Sequence, residues 1–158
     1  MKPVRKQIAQ LMIALNRINC CYAVCAQSAD LKENELMILY ALADGVPYSQ
    51  KQICDEWDIP RTTMNTIIKD WEKKGLVSLS PIPGKRREMN ILLTKAGQEL
   101  ANNILNKVFE MENSAMRETV EEFSPEFIRV LRCYEARLRA HCKRLFGDAP
   151  TGPFSPKE

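Results

Sequence analysis

Two groups of side chains in this sequence have types and spacing suited to binding a polyanion. The first group lies between Pro60 and Lys74, where polar residues share a helical period with an apolar stripe. Asparagine can bond adenine through two hydrogen bonds, threonine can contact a thymine methyl, and lysine or arginine can bind guanine or phosphate. We therefore expect the polar residues of this segment to contact duplex DNA. They are Arg61, Thr62, Thr63, Asn65, Thr66, Lys69 and Lys73.

The second group is a run of three cations, Lys85, Arg86 and Arg87, just after a stretch rich in proline and glycine. From Arg61 to Lys95 there are eight basic and three acidic residues, so this segment carries +5 while the whole chain carries +3. A local basic excess attracts nucleic acid, and a rigid tip that bears arginine suits a narrow minor groove. The alternative interpretation is a solvated helix face and a solubilising hairpin edge.

The six cysteines and the single histidine, His141, do not form a zinc-binding pattern, because no C-x-x-C pair occurs. We expect no metal and no cofactor. No nucleophile–base pair, phosphate-binding loop or carboxylate dyad stands out, so we expect no enzyme activity. Three cysteines on the first helix are candidates for redox sensing, which requires exposure and a lowered pKa. They are Cys20, Cys21 and Cys25.

The alternative for these three cysteines is packing as small core residues. Packing is also the role that we expect for the others, which are Cys54, Cys133 and Cys142.

The elements that would position the polar groups are a helix–turn–helix and a hairpin. Ser49 and Gln52 form an S-x-x-Q capping box, which predicts a short helix that reaches about Trp57. The next helix is predicted from Pro60, which suits a first turn, to Lys74. Its stripe at i, i+3, i+4 and i+7 consists of Met64, Ile67, Ile68 and Trp71. Two strands, Leu76 to Leu79 and Met89 to Leu93, then predict a two-stranded wing.

We call the segment from about Ser49 to Thr94 the reading head. Helices with apolar residues at near-heptad spacing flank it on both sides. We predict them at about Pro3–Gln27, Lys32–Asp44, Thr94–Glu122 and from Ser124 to Gly147. Such stripes favour packing against a second copy of the chain. No stretch approaches the ~20 apolar residues that span a bilayer, and the N-terminal helix is amphipathic rather than a signal peptide. We expect a cytoplasmic protein with no membrane partner.

The predicted fold is therefore mainly α, a winged helix–turn–helix with a two-stranded wing and a helical dimerisation region from both termini. Residues 1–30 are expected to form a dimerisation helix and residues 31–97 the DNA-binding domain. Residues 98–146 supply further dimerisation helices. Residues 147–158 hold three prolines and little to bury, so we expect a disordered tail.

The stretch Leu31 to Gln98 resembles the MarR family of transcriptional regulators. The motifs that carry the resemblance are short and follow in order. They are Leu31-Lys32-Glu33-Asn34-Glu35-Leu36, Ser49-Gln50-Lys51-Gln52-Ile53-Cys54, Arg61-Thr62-Thr63-Met64-Asn65, Glu72-Lys73-Lys74-Gly75-Leu76-Val77, Arg86-Arg87 and Leu93-Thr94-Lys95-Ala96-Gly97. The resemblance implies a homodimer on a palindromic operator, usually a repressor that a small apolar or phenolic molecule or an oxidant releases. It adds Ser49 to the expected DNA contacts.

Three positions depart from the family pattern. Lys85 stands where an aspartate often orients the wing arginine, and Glu88 could take over that role. Pro60 and Lys32 open helices where serine and threonine are usual. Two further hypotheses stay open: a winged helix used for dimerisation or protein interaction without DNA, and a cysteine-based redox-sensing regulator.

Overall fold

The computed structural model describes residues 3–85 and 88–147. The described chain is mainly helical with a small antiparallel sheet, as the sequence predicts. Its elements are α1 (Pro3–Ser28), α2 (Glu33–Leu42), β1 (Tyr48–Ser49), α3 (Gln50–Trp57), α4 (Arg61–Lys73), β2 (Val77–Pro81), β3 (Met89–Leu93), α5 (Lys95–Phe123) and α6 (Glu126–Phe146).

The sheet has three strands in the order β1-β3-β2, so the prediction of two strands was incomplete. Strands β2 and β3 pair antiparallel from Val77 opposite Leu93 to Pro81 opposite Met89. Strand β1 adds Tyr48 opposite Ile91 on the other edge of β3. A two-residue strand is too short to show an alternating pattern, which is why the sequence does not reveal it.

The starts of α2 and α4 each lie one residue after the predicted position, and each difference has a local cause. Pro60 is the N-cap and not the first helical residue, because its backbone is extended (φ −58°, ψ 134°) and α4 begins at Arg61. Its carbonyl still accepts the first helical bond, from the Met64 N–H at 2.9 Å. Lys32 lies before α2, and its N–H donates to the Glu35 carboxylate at 2.7 Å. A side chain three residues on thus supplies the cap that Lys32 cannot.

The hydrophobic core joins α2, α3, α4, the sheet and the first half of α5. Its largest fully buried side chains are Leu36, Ile38, Leu39, Leu42, Ile53, Met64, Ile68, Ile91 and Leu105. Gly97, in the first turn of α5, is buried against the backbone of Leu76, where a Cβ atom would overlap the carbonyl oxygen. The chain at Leu76 and the start of α5 can approach this closely only because position 97 lacks a side chain.

The terminal helices contribute little to that core. Ala26 is the one buried residue of α1, and α6 has none. Among the described helices, α1 is long and apolar enough to cross a membrane by length and composition, with a mean hydropathy of 1.3. A packing helix with an uncovered apolar side meets the same criterion. On α6, Arg139 Nη2 lies 3.3 Å from Asp58 Oδ2, in the turn between α3 and α4.

Candidate nucleic-acid interface

Helix α3 starts at a complete capping box. The Gln52 N–H donates to the Ser49 hydroxyl at 3.1 Å, and the Ser49 N–H donates to the Gln52 side-chain oxygen at 2.9 Å. Ser49 is only 3% exposed. Its buried hydroxyl accepts in the cap that starts α3, and the DNA contact expected of Ser49 stays a prediction.

A tight turn connects α3 to α4. Asp58 adopts the left-handed conformation (φ 50°, ψ 34°) that ends α3, and Ile59 is buried against the core. Asp is among the residues that tolerate this conformation because its short polar side chain can bond locally. The turn fixes the start of α4 against α3, which is the arrangement of a helix–turn–helix.

Helix α4 has one buried and one exposed side, as the sequence predicts. Met64, Ile67, Ile68 and Trp71 are buried in the core. Six of the seven predicted contact residues on this helix are exposed, and the seventh, Thr63, is half-buried. The exposed ones are Arg61, Thr62, Asn65, Thr66, Lys69 and Lys73. Burial of the stripe fixes the rotation of the helix, so the polar residues project together on the opposite face.

Few of these polar groups are occupied by neighbours. The Thr66 hydroxyl donates to the Thr62 carbonyl at 2.9 Å, which leaves its oxygen free to accept. Lys74 pairs with Asp70 at 2.6 Å and is therefore the neutralised cation of the helix. Within residues 3–85 and 88–147, no ion pair within 4.0 Å involves Arg61, Lys69 or Lys73. The face of α4 therefore presents cations that are available to a polyanion.

The tip of the wing is a tight turn. The Lys85 N–H donates to the Ile82 carbonyl at 3.0 Å, with Pro83 and Gly84 between them. Gly84 has φ +78°, which is the conformation that a type II turn requires at its third residue and that glycine adopts without strain. The turn sends the chain back toward β3 and places Lys85 at the surface.

Lys85 is bound within the wing itself. Its ammonium nitrogen lies 2.7 Å from the Glu88 carboxylate. The hydrogen bond from Lys85 holds the pKa of Glu88 below its ordinary value, and the charges of Lys85 and Lys51 act in the same direction. Glu88 therefore stays ionised and keeps Lys85 at its side. The other two predicted wing cations, Arg86 and Arg87, lie outside the described residues.

A cleft of about 210 Å³ lies where the wing meets the helix–turn–helix. Two predicted contact residues, Arg61 and Asn65, line it together with residues that sequence reasoning missed. Those are Gln50 and Lys51 in the first turn of α3, Cys54, and Glu88 of the wing. The outward position of Gln50 and Lys51 next to the capping box is the signal that could have revealed them.

The cysteines divide into buried and exposed positions. Burial raises the pKa of the Cys54 thiol, which makes this side chain a packing residue, as expected. Cys133 and Cys142 are exposed, so the packing role predicted for them is wrong within a single chain, because α6 lies outside the core. Cys20 and Cys21 are exposed and Cys25 is half-buried against the core.

The described residues contain no group of three or more His, Cys, Asp or Glu side chains that could hold a metal ion. His141 lies 3.0 Å from Arg144 through its Nδ1 atom.

Comparison with known proteins gives consistent matches. The family model described as MarR family matches residues 29–88. The chain is 32% identical over 99 residues to the HTH-type transcriptional regulator PecS of Dickeya dadantii, covering 61% of this chain and 57% of PecS. It is 28% identical over 103 residues to the HTH-type transcriptional repressor NicR of Pseudomonas putida, covering 65% of each chain. The chain thus spans less than two thirds of either relative.

Solved structures share the fold at low identity. The MarR family regulator NMB1585 from Neisseria meningitidis superposes with a TM-score of 0.71 at 22% identity, covering 88% of this chain and 96% of that one. NadR in complex with 4-hydroxyphenylacetate superposes with a TM-score of 0.65 at 21% identity, covering 82% of this chain and 89% of that one. A MarR family regulator from Listeria monocytogenes complexed with a 26mer DNA superposes with a TM-score of 0.60 at 20% identity, covering 91% of each chain.

Proposed function

We propose that the protein is a sequence-specific, DNA-binding transcriptional regulator of the MarR family, because that family's model matches residues 29–88 and solved MarR regulators share its fold. It acts in the cytoplasm as a homodimer on a palindromic operator. It represses transcription until a small molecule or an oxidant releases it. The two curated relatives are named as transcriptional regulators, and one of them as a repressor.

The observation that carries the proposal is the outward face of α4. On this face Arg61, Lys69 and Lys73 have no ion pair within the described residues, which leaves their charges available to phosphate. Asn65, an amide that can read adenine, lies among them and borders the cleft beside the wing. This combination of phosphate-binding and base-reading groups on one exposed helix is what the major groove requires.

The homodimer is supported by apolar surface that one chain leaves uncovered. Helix α6 exposes 37% of Phe127, 39% of Leu131 and 52% of Leu138. Helix α1 likewise exposes Val4 and Ile8. Contiguous apolar surface of this kind marks an interaction site. A second copy of the same chain would cover both helices and would place two α4 helices on the two halves of a palindrome.

The test is binding to the DNA just upstream of the protein's own gene. Fluorescence anisotropy of a labelled duplex should show tighter binding than to a scrambled duplex of equal length. The logarithm of the affinity should fall linearly with the logarithm of the salt concentration, because phosphate contacts release counterions. Equal affinity for the two duplexes at every salt concentration would contradict a sequence-specific regulator, and no binding to either would favour a winged helix used for protein interaction.

Two kinds of signal are candidates for releasing the regulator from DNA. NadR, a structural relative, holds 4-hydroxyphenylacetate, which makes a phenolic effector one hypothesis. Cysteine oxidation is the other, since Cys20 and Cys21 are exposed. A thermal shift with hydrogen peroxide separates them. A peroxide effect that persists after Cys20, Cys21 and Cys25 are replaced by serine contradicts redox sensing through α1.

A further inference from the structure

A cavity of about 440 Å³ lies beside the C-terminal end of α3. Its walls come from α1, α2 and α5 and from the last residue of α3. The lining residues that decide its chemistry are Tyr22, Met37, Tyr40, Trp57, Glu33 and Glu112. Three aromatic rings and two carboxylates therefore border one space large enough for a small organic molecule.

The aromatic walls are held in place by their neighbours. The Tyr40 ring centroid lies 5.6 Å from that of Trp57, tilted by 57°, and 5.3 Å from that of Phe109 in an edge contact. The Tyr22 hydroxyl donates to one oxygen of Glu112 at 2.7 Å, and the Tyr40 hydroxyl donates to the other at 2.9 Å. Glu112 therefore fixes two of the three aromatic side chains, on α1 and α2, with a single carboxylate.

The charge of this cavity is negative, and no ion pair among the described residues neutralises it. Among its described lining residues there is no lysine, arginine or histidine. Within the described part of the chain, no ion pair within 4.0 Å reaches Glu112. Its two partners are the hydroxyls of Tyr22 and Tyr40, which stay neutral. Burial is the largest cause that raises their pKa values above the ordinary value, and the hydrogen bonds to Glu112 are the next. A carboxylate in a partly buried site attracts a cation more strongly than it would in water.

We propose that this cavity binds a small aromatic organic cation, a protonated amine or a quaternary ammonium compound, as the effector of the regulator. The faces of Tyr22, Tyr40 and Trp57 suit a cation, because aromatic rings present negative charge on their faces. Glu112 and Glu33 supply the opposing charge. An anionic phenol such as 4-hydroxyphenylacetate, which NadR holds, would meet two carboxylates and no cation here. The proposal rests on the proposed function only for its effect on DNA binding.

Trp57 connects the cavity to the reading head. It is the last residue of α3, and the turn at Asp58 that leads into α4 follows it directly. A ligand that packs on Trp57 and displaces it would move the end of α3 and so the position of α4. If the cation favours a different position of α4 from the one that DNA favours, each ligand must weaken the binding of the other by the same factor.

Three phenols that differ in charge test the ligand class. Tyramine carries an ammonium group, tyrosol a hydroxyl, and 4-hydroxyphenylacetate a carboxylate on otherwise similar skeletons. Binding to the full chain without DNA can be followed by tryptophan fluorescence, since Trp57 borders the cavity. We expect tyramine to bind at least about tenfold more tightly than tyrosol, and 4-hydroxyphenylacetate to bind most weakly. Glu112→Gln should remove the advantage of tyramine over tyrosol, and Glu110→Gln, an exposed control on the same helix, should not.

The outcomes separate cleanly. Equal or tighter binding of 4-hydroxyphenylacetate, no binding of any of the three, or an unchanged preference in Glu112→Gln each overturn the proposal. A Glu112→Gln protein that has lost its fold is recognised by its circular dichroism, and Tyr40→Phe, which keeps the ring and removes one hydrogen bond, then takes its place. The Tyr40→Phe variant should still bind tyramine, and its tryptophan fluorescence should differ from that of the wild type. Because these measurements contain no DNA, failure here leaves the regulator assignment standing, and failure to bind the operator leaves the cation site standing.

Discussion

The Nζ atom of Lys85 lies 2.7 Å from the Oε2 atom of Glu88, so an ion pair three residues apart follows the turn at the wing tip. The sequence predicts that Lys85 contacts DNA and that Glu88 could orient Arg86, which lies outside the described residues. Among the described residues, Glu88 binds the cation that directly follows the turn. The charge of Lys85 is therefore opposed within the wing, and the Glu88 carboxylate also lines the cleft beside α4.

Removing the wing carboxylate should strengthen non-specific DNA binding. Glu88→Gln frees Lys85 for phosphate and removes a negative charge from the cleft. We expect the affinity for a random duplex at low salt to rise several-fold. The slope of log affinity against log salt should steepen by about 0.9, the value for one additional phosphate contact. Anisotropy titrations at four salt concentrations measure both, with the exposed Glu99→Gln on α5 as control. A slope equal to that of the wild type would show that Lys85 does not reach phosphate.

Substitutions on the outward face of α4 should separate sequence reading from general affinity. Asn65→Ala removes an amide that can bond adenine and should lower the preference for operator over scrambled duplex by about 1–3 kcal/mol. Lys69→Ala should lower the affinity for both duplexes equally. It should also reduce the slope of log affinity against log salt by about 0.9, the value for one phosphate contact. Competition anisotropy with the two duplexes distinguishes the effects, and Lys107→Ala, exposed on α5, should change neither. Loss of specificity in Lys69→Ala with no loss in Asn65→Ala would reverse the roles assigned here.

The double replacement of Arg86 and Arg87 by alanine tests the wing directly. These arginines lie outside the described residues, and their part in DNA binding rests on the sequence and on the wing that carries them. We expect weaker duplex binding and a flatter salt dependence, because two minor-groove cations are lost. A double mutant that binds the operator as well as the wild type at several salt concentrations would mean that the wing does not contact DNA.

The helix–turn–helix was predictable because its signals are local. The capping box at Ser49 starts α3, and the stripe of Met64, Ile67, Ile68 and Trp71 fixes the orientation of α4 without help from distant residues. Strand β1 was not predictable, since two residues carry no period and Tyr48 becomes a strand only through its pairing with Ile91. The convergence of Tyr22 and Tyr40 on Glu112 joins residues 90 and 72 positions apart, and no local pattern indicates it.

The packing assigned to Cys133 and Cys142 shows a second limit of the sequence. Cys142 lies on the apolar stripe of α6 and Cys133 lies on the same helix, and the helical spacing of that stripe predicts a packing face without indicating which chain would cover it. A single chain leaves that face exposed. Periodicity therefore identifies a buried side only when the partner lies in the same chain.

That exposed face provides a test of the homodimer. Leu138→Glu places a charge in the apolar stripe of α6, where Leu138 is 52% exposed in the single chain. We expect light scattering to give about twice the 18.1 kDa chain mass for the wild type and a concentration-dependent shift toward one chain mass for the variant. Ala136→Glu, exposed on the same helix but off the stripe, should remain dimeric. A wild type that runs as a monomer at micromolar concentration would remove the basis for a palindromic operator.

Gly97 should be intolerant of any side chain. An alanine Cβ at this position would overlap the carbonyl oxygen of Leu76, which already accepts the Thr94 N–H at 3.0 Å. Either the start of α5 or the end of the α4–β2 connection must move, and overpacking of this kind costs about 1–3 kcal/mol. Urea denaturation of Gly97→Ala should show that loss, while Lys95→Ala, exposed in the same turn, should stay within about 0.5 kcal/mol of the wild type. Equal midpoints for Gly97→Ala and wild type would mean that the two segments are not packed as described.

The tyrosine pair on Glu112 makes a prediction about alkaline pH. Burial is the largest cause that raises the pKa values of Tyr22 and Tyr40, and the hydrogen bonds to Glu112 come next. A folded-state pKa above the unfolded value of about 10 contributes stability that is complete below pH ~10 and is lost as the pH rises toward the folded value.

Glu112→Gln removes the carboxylate but not the burial, so the folded pKa values should fall partway toward 10 while staying above it. Absorbance at 295 nm, titrated above pH 9 in folded protein, should therefore rise at lower pH in Glu112→Gln than in the wild type. The Glu110→Gln curve should follow the wild type. Tyr22→Phe and Tyr40→Phe identify the late-ionising residues, because each should delete one step from the upper end of the wild-type curve. Superimposable curves for Glu112→Gln and wild type would show that the two hydroxyls do not share this carboxylate in solution.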